Sequence, residues 1–241
     1  MATQFEVISQ KLREMLMRGD FESGQHLQEI PLAKQLNASR TPVRLALGAL
    51  AQEGLLIYKP QRGFLVREFS IKEITDAVKV RGELEAMAAR LVAENGISEA
   101  GQQRIVEILE ESKSLNSARE TIEDYATRWF ALNEAFHEAI VEEAGNSILS
   151  EMIGQINNVP LAGSMVLTVN AEIAEIVKAG ADQNQREHEV IFCAILRRQS
   201  QRACANMQEH VYKGADLISN YLNRIRTQNR DMPLLKLVAR D

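Results

Sequence analysis

Hydrophobic residues recur at helical spacing in three short segments near the amino terminus. The first segment predicts a helix over residues 5–16, and the second predicts a shorter helix over residues 30–36. In the third, Thr41 can act as the N-cap and Pro42 as the first helical residue, where its missing N–H has no cost. That helix is expected to end at Gly54, so this part of the chain predicts three consecutive helices.

A stretch of alternating apolar and polar residues follows the third helix. It covers residues 55–66 (LLIYKPQRGFLV) and is interrupted by turn-forming residues at 59–63, which is typical of a short β-hairpin. Three helices and a hairpin together indicate a winged helix-turn-helix. Ser70 and Glu73 then match the spacing of a helix-capping box, so we place a domain boundary near residue 70.

The rest of the chain has a helical pattern almost throughout, up to about residue 226. Breaks are expected at residues 95–96, 145–146 and 159–163, which favours an antiparallel bundle of helices. The predicted fold is therefore mainly α. It consists of a winged helix-turn-helix domain over residues 1–69, an all-α helical domain over residues 70–228 and a loose carboxy-terminal tail over residues 229–241.

Charge is distributed unevenly along the chain. The net charge is -5, but residues 1–70 carry nine Lys/Arg against seven Asp/Glu, or +2, and residues 71–241 carry nineteen against twenty-six, or -7. The basic amino-terminal part fits a nucleic-acid partner better than the whole-chain charge does. No membrane partner is expected, because no apolar stretch is long enough to span a bilayer. The two cysteines have no paired spacing, so we expect a cytoplasmic protein.

Arg40 and Arg44 lie four residues apart at the start of the third predicted helix. A helix that enters the major groove of DNA presents its first-turn side chains to base edges, and arginine can bond guanine or phosphate through two N–H groups. Arginines at this spacing could also belong to a solvated helix face. Lys59, Arg62 and Arg67 add positive charge around the hairpin, which favours the DNA-binding interpretation.

Residues 24–66 resemble the winged helix-turn-helix of the GntR family of bacterial transcription regulators. The resemblance rests on SRTPVR (39–44), on the leucines that follow it and on RGFLV (62–66). It implies double-stranded DNA as the partner, with groove and phosphate contacts from Ser39, Arg40, Thr41, Arg44, Arg62 and Gly63. One position departs from the family pattern, because Leu45 stands where the family usually has Glu. This departure is expected to affect local packing or charge balance.

Three of the four histidines fall in the helical half, at positions 137, 188 and 210. Each shares a helix face with apolar residues, such as Ile140 beside His137 and Ile191 beside His188, so each is expected to face inward. A single inward histidine is usually a hydrogen-bonded core residue. Three that converge from facing helices can bind one divalent metal ion, for which imidazole is a common ligand.

The helical half resembles the FCD effector domain that follows the DNA-binding head in one large GntR subfamily. The segments that carry this resemblance are RGELEAMAARLVA (81–93), NEAFHEAI (133–140), EHEVIFCAIL (187–196) and MQEHV (207–211). Members with this pattern hold a divalent metal through Asp-x-x-x-His and two further histidines, which here implies the ligands Asn133, His137, His188 and His210. Zinc is the first expectation, with nickel or manganese as alternatives. Asn133 replaces the usual Asp and brings no charge, so weaker binding is expected.

Two further features of this half bear on its chemistry. The resemblance implies that Arg81 faces the bundle and meets the carboxylate of a small-molecule effector; a salt bridge to Glu85, four residues on, is the alternative. Glu134 and His137 form one Glu-x-x-His pair of the kind found in di-iron bundles. Such bundles need two pairs and the chain has only one, so an enzyme is not expected. Members of the subfamily that bind acyl thioesters generally lack the three histidines.

These observations predict a ligand-responsive transcription regulator, expected to be a repressor, that binds a pseudo-palindromic operator as a homodimer. One short helix reads too few base pairs for useful specificity, which is why two copies are expected. The family resemblance implies that a small carboxylate relieves repression. Two alternatives stay open: a metal sensor in which the ion is the signal, and a bundle that serves only for dimerisation, with structural histidines.

Overall fold

The computed structural model describes residues 3–116, 121–163, 171–228 and 236–239. Within these residues the chain forms nine helices and one three-stranded sheet, so the predicted mainly α fold is confirmed. The helices are α1 (Gln4–Met17), α2 (Glu29–Gln35), α3 (Arg40–Gln52), α4 (Ile71–Asn95), α5 (Glu99–Asn116), α6 (Ile122–Glu143), α7 (Ser147–Ile156), α8 (Ala171–Leu196) and α9 (Ser200–Thr227). The strands are β1 (His26–Leu27), β2 (Leu56–Lys59) and β3 (Gly63–Val66).

The chain divides into two compact units. The first contains Met1–Ile74, Asn158–Pro160 and Ser219–Asp241, and the second contains Thr75–Asn157 and Leu161–Ile218. Helices α4 and α9 contribute residues to both units. No helix in the described ranges has the length and hydropathy of a bilayer span.

Helix α3 is the centre of the first unit. It packs against α1, α2 and β2, and its Ala46, Leu47 and Leu50 are fully buried. Strands β2 and β3 form the predicted hairpin, in which Tyr58 pairs with Phe64. The short β1 pairs with the other edge of β3, giving the strand order β1-β3-β2. The sequence pattern does not predict β1, because two residues are too few to show an alternation.

The start of α3 differs from the prediction. Its N-cap is Ser39, which has an extended backbone (φ -79°, ψ 163°), and the helix begins at Arg40. The prediction that Thr41 is the N-cap is therefore wrong. Pro42 still fits, because it lies in the first turn, where backbone N–H groups have no partner within the helix.

Helices α5, α6 and α8 pack against one another in the second unit. An apolar cluster between them includes Leu115, Tyr125 and Val177. The sequence pattern does not predict the break before α6, where Thr121 accepts a hydrogen bond from the Asp124 N–H, nor the break between α8 and α9, where Arg198 has φ 58°. Neither break contains glycine or proline, so composition does not mark them.

The last described residues are packed, contrary to the expected loose tail. Leu237 and Val238 are buried, and Val238 forms a parallel bridge with Phe69. The Phe69 N–H donates to Leu237 O (2.9 Å), and Phe69 O accepts from the Ala239 N–H (2.8 Å). The expectation is wrong for residues 236–239, because their backbone partner lies far away in the sequence and local spacing does not reveal it.

Candidate functional site

Helix α3 presents its amino-terminal end to solvent. The exposed residues at this end are Ser39, Arg40, Thr41, Arg44 and Leu45. All four residues of this segment that were predicted to contact DNA are therefore accessible. Leu45 is 59% exposed, so its departure from the family pattern does not act through core packing.

Glu29, the first residue of α2, lies beside both arginines of α3. Its Oε2 is 3.4 Å from Arg40 Nη2, and its Oε1 is 3.8 Å from Arg44 Nε. One carboxylate thus neighbours two guanidinium groups, and we expect its charge to favour positions of these side chains close to Glu29. The sequence pattern does not indicate this role of Glu29, because no local spacing connects α2 with the start of α3.

The tip of the hairpin has the left-handed backbone of a tight turn. Gly63 has φ 71°, and the adjacent Arg62 is exposed. The positive φ at Gly63 favours glycine, and a Cβ there would lie 3.0 Å from Nε2 of the exposed His26 side chain. A cleft of about 320 Å³ opens here, and its lining includes His26, Glu29, Arg40, Gly63 and Phe64.

Arg67 does not belong to the exposed basic surface. Its guanidinium pairs with Glu73, donates to Gly54 O at 3.2 Å and lies 4.6 Å from the centre of the Phe69 ring. The expectation that Arg67 adds to a basic wing is therefore wrong, because these three partners hold it in the packing of the first unit. Lys59 is exposed.

Three histidines from three helices meet inside the second unit. His137 comes from α6, His188 from α8 and His210 from α9, and all three are buried. Nε2 of His210 lies 3.1 Å from Nε2 of His188 and 3.3 Å from Nε2 of His137. Ligand atoms of all three lie within 4.8 Å of one another. The structure therefore brings the three sequence-predicted histidines together.

Two glutamates face the outer nitrogens of this cluster. Glu187 Oε2 is 2.7 Å from His210 Nδ1, and Glu85 Oε2 is 2.8 Å from His137 Nδ1, although off the line of a hydrogen bond. The hydrogen bond from His210 lowers the pKa of Glu187 to about 2. Burial raises the pKa of Glu85, but His137 and Arg81 outweigh it and lower that pKa to about 2. Both groups are thus carboxylates at neutral pH that can orient a histidine ring.

The surroundings of His188 and His210 favour the neutral form of their imidazole rings. His188 stacks on Phe136, with ring centres 4.0 Å apart. Burial and the neighbouring His210 lower the pKa of His188 well below its usual value, and burial also lowers the pKa of His210. Both rings are therefore uncharged at neutral pH, and each uncharged ring has one nitrogen lone pair to share.

The donor set fits a divalent metal ion. Nitrogen ligands of a tetrahedral zinc, with bonds of about 2.0–2.1 Å, lie roughly 3.3 Å from one another. Two of the Nε2 separations, 3.1 and 3.3 Å, match this spacing, and the ligand atoms of all three histidines lie within 4.8 Å of one another. Neutral imidazole is also the form that binds metal.

Asn133 and Arg81, the other residues predicted for this site, have different surroundings. Asn133 lies one turn before His137 on α6 and is half-buried. Arg81 is largely buried; its Nε is 3.2 Å from Glu85 Oε1, and its Nη1 donates to Ala162 O. The salt bridge to Glu85, considered above as the alternative for Arg81, is therefore present.

Comparison with known families decides what kind of protein carries these two sites. Residues 76–213, more than half of the chain, match the model of the FCD domain, and residues 4–66 match that of the bacterial regulatory proteins of the gntR family. The chain belongs to the GntR family. It is therefore a DNA-binding transcription regulator and not an enzyme.

Individual relatives are similar in sequence to this GntR regulator over most of its length. YdhC of Bacillus subtilis, an uncharacterized HTH-type transcriptional regulator, is 28% identical over 83% of this chain and 84% of that protein. The HTH-type transcriptional repressor GlaR of Escherichia coli is 25% identical over 83% of this chain and 89% of that protein. The solved structure of E. coli McbR/YncC has the same fold, with a TM-score of 0.69 at 23% identity, covering 92% of this chain and 100% of that one.

Changing Glu29 to Gln tests whether its carboxylate restrains the two arginines of this GntR head. We expect tighter binding to random duplex DNA, because a negative charge near the phosphates is lost. We also expect the preference for a duplex selected from a random library to fall about fivefold, or roughly 1 kcal/mol, because the arginines lose their partner. Fluorescence anisotropy at fixed salt measures both affinities.

The matched control for this prediction is Glu22→Gln, which makes the same charge change at an exposed position of the first unit. Equal changes in both variants, or an unchanged preference in Glu29→Gln, would contradict a restraining role for Glu29.

Proposed function

We propose that this GntR-family regulator represses transcription as a homodimer and is released by a small carboxylate that binds at a metal-containing pocket. The metal-containing effector pocket is supported mainly by three buried histidines that lie together, with carboxylates beside the outer nitrogens of two of them. In this assignment residues 1–69 form the DNA-binding domain and residues 70–228 the effector-binding and dimerisation domain. A cytoplasmic location fits the DNA target and the two free cysteines.

We assign the base contacts to the exposed end of α3 in the major groove. Arg40 and Arg44 can each bond a guanine through two N–H groups, and the hydroxyls of Ser39 and Thr41 can bond bases or phosphates. The hairpin adds two contacts: Gly63 permits a close approach to the minor groove, and Arg62 bonds a phosphate. The five residues other than Gly63 are all exposed within the first unit, which supports the assignment.

A homodimer on a pseudo-palindromic operator follows from the size of the reading element. One α3 helix contacts only a few base pairs, so two copies at symmetric half-sites are needed for useful specificity. The relative GlaR is named as a transcriptional repressor, and we propose that this protein also represses transcription.

We infer that His137, His188 and His210, with Asn133, hold a divalent metal ion. Zinc is the first candidate, with nickel or manganese as alternatives. The bound ion would supply a Lewis-acidic centre that accepts an effector carboxylate. An amide ligand in place of a carboxylate leaves the site one charge more positive, which favours an anionic effector.

Arg81 is the proposed protein contact of the effector. Its guanidinium already pairs with Glu85 and donates to Ala162 O, so an incoming carboxylate must replace Glu85 or use the remaining N–H groups. Either change alters the link between α4 and residues 161–163. An effector that prefers one of these arrangements shifts the population of the regulator between its operator-binding and released forms.

Replacing Arg44 with Ala tests the DNA-binding assignment. We expect the affinity for a selected duplex to fall at least about fivefold, because a bidentate contact to guanine is worth about 1–3 kcal/mol. Arg18→Ala removes the same charge from another exposed site of the first unit and serves as the matched control, with a much smaller expected loss. Electrophoretic mobility shift titrations compare the two; full operator affinity in Arg44→Ala would contradict the assignment.

Replacing His137 with Ala tests the metal assignment. Isothermal titration of apo-protein with zinc should give about one ion per chain for the wild type. The zinc affinity of the variant should fall by more than the roughly 10–100-fold that is typical when a residue hydrogen-bonded to a metal ligand is mutated, because the variant lacks a ligand itself. His26→Ala, at an exposed histidine of the first unit, is the matched control and should bind zinc like the wild type. Equal zinc affinity in all three proteins would contradict the assignment.

A further inference from the structure

Two residues of α3, Leu45 and Gly48, are not explained by the packing of the first unit. Leu45 is 59% exposed. Gly48 lies in the helix interior without a positive φ, and a Cβ built there would meet no atom within 4 Å, so neither backbone conformation nor packing requires glycine. Glycine in a helix interior is destabilising relative to alanine. The unit therefore presents an unburied leucine and an unrequired glycine close together on one helix.

Helical spacing puts both residues on the face proposed to enter the major groove. Leu45 lies one turn after Thr41, and Gly48 lies one turn after Arg44. The opposite face is filled by the buried residues Val43, Ala46, Leu47 and Leu50. Along the exposed face the guanidinium groups of the two arginines are followed by the apolar side chain of Leu45 and then by Gly48, which has no side chain.

The chemistry of the major groove supplies an apolar match for this leucine. Each thymine presents a C5-methyl group there, alongside the hydrogen-bonding groups that arginine and other polar side chains read. Gly48, one turn after Arg44, has no Cβ, and this leaves room for the duplex to approach the helix. Leucine cannot accept the hydrogen bond from cytosine that a glutamate at the same position can accept.

We propose that Leu45 recognises the methyl group of a thymine in each operator half-site, beside the base pair contacted by Arg44. This inference rests on the proposed assignment of α3 as the major-groove helix. It makes Leu45 a specificity-determining residue of this regulator, at the position where the chain departs from the family pattern.

The experiment starts from binding sites that the full-length protein selects out of a random library of duplex DNA. Each thymine of the enriched site is then replaced, one at a time, by deoxyuridine, which lacks only the methyl group. We expect one thymine per half-site at which the replacement weakens wild-type binding about fourfold, as the transfer free energy of one buried methyl group predicts.

Three variants show whether Leu45 is the residue that reads this methyl group. Leu45→Ala should bind the thymine and deoxyuridine duplexes equally, because its side chain no longer reaches the methyl. Leu45→Met keeps an apolar side chain of similar volume and should retain most of the difference. Val7→Ala shortens another exposed apolar residue of the first unit, on α1, and should keep the full wild-type difference.

The possible failures are distinguishable. A selection that enriches no site would overturn the assignment of α3 and this inference together. An enriched site at which every deoxyuridine is neutral, or at which Leu45→Ala still shows the wild-type difference, would overturn the role of Leu45 alone. The mass of Leu45→Ala without DNA is also measured by sedimentation equilibrium. Loss of the dimer in this variant would assign Leu45 to a contact between protein chains and would overturn its role in reading thymine.

Discussion

The burial of three imidazole rings at one point is the constraint on which the second unit depends. His137, His188 and His210 come from three different helices, and their Nε2 atoms lie too close together for each to carry a proton. Glu187 is hydrogen-bonded to Nδ1 of His210, which leaves the Nε2 lone pair of that ring directed toward the other two histidines, and Glu85 lies 2.8 Å from Nδ1 of His137. One ring N–H can serve only one of these close Nε2 pairs, which supports the proposal that a shared cation lies between the rings.

The same principle, a carboxylate that positions cationic or polar side chains, operates in both units. In the second unit Glu85 pairs with Arg81 and also neighbours His137, so the proposed effector contact and one proposed metal ligand share one carboxylate. In the first unit Glu29 neighbours Arg40 and Arg44, which limits the freedom that these arginines would lose on binding DNA. Each proposed binding site is thus partly organised before its ligand arrives.

Periodicity within one element predicted much of this molecule, and contacts between distant elements account for what it missed. The three helices, the hairpin and the inward orientation of the histidines follow from local spacing, because a residue's face is fixed by its position in a helix. Asn133 could be placed one turn from His137 for the same reason. The neighbours of Arg40 and His137, and the packing of Leu237, depend on residues far away in the chain, so no local pattern indicates them. The sequence pattern does not predict the break at Arg198, because no glycine marks it.

The metal content of the protein tests directly whether the histidine cluster is a metal site. Untagged protein is purified without chelator or metal resin and analysed by inductively coupled plasma mass spectrometry. We expect about one equivalent of a single divalent ion per chain, retained through dialysis. Protein that holds no metal and takes none up on addition would contradict the metal assignment, and the three histidines would then form a hydrogen-bonded core with no centre for a carboxylate effector.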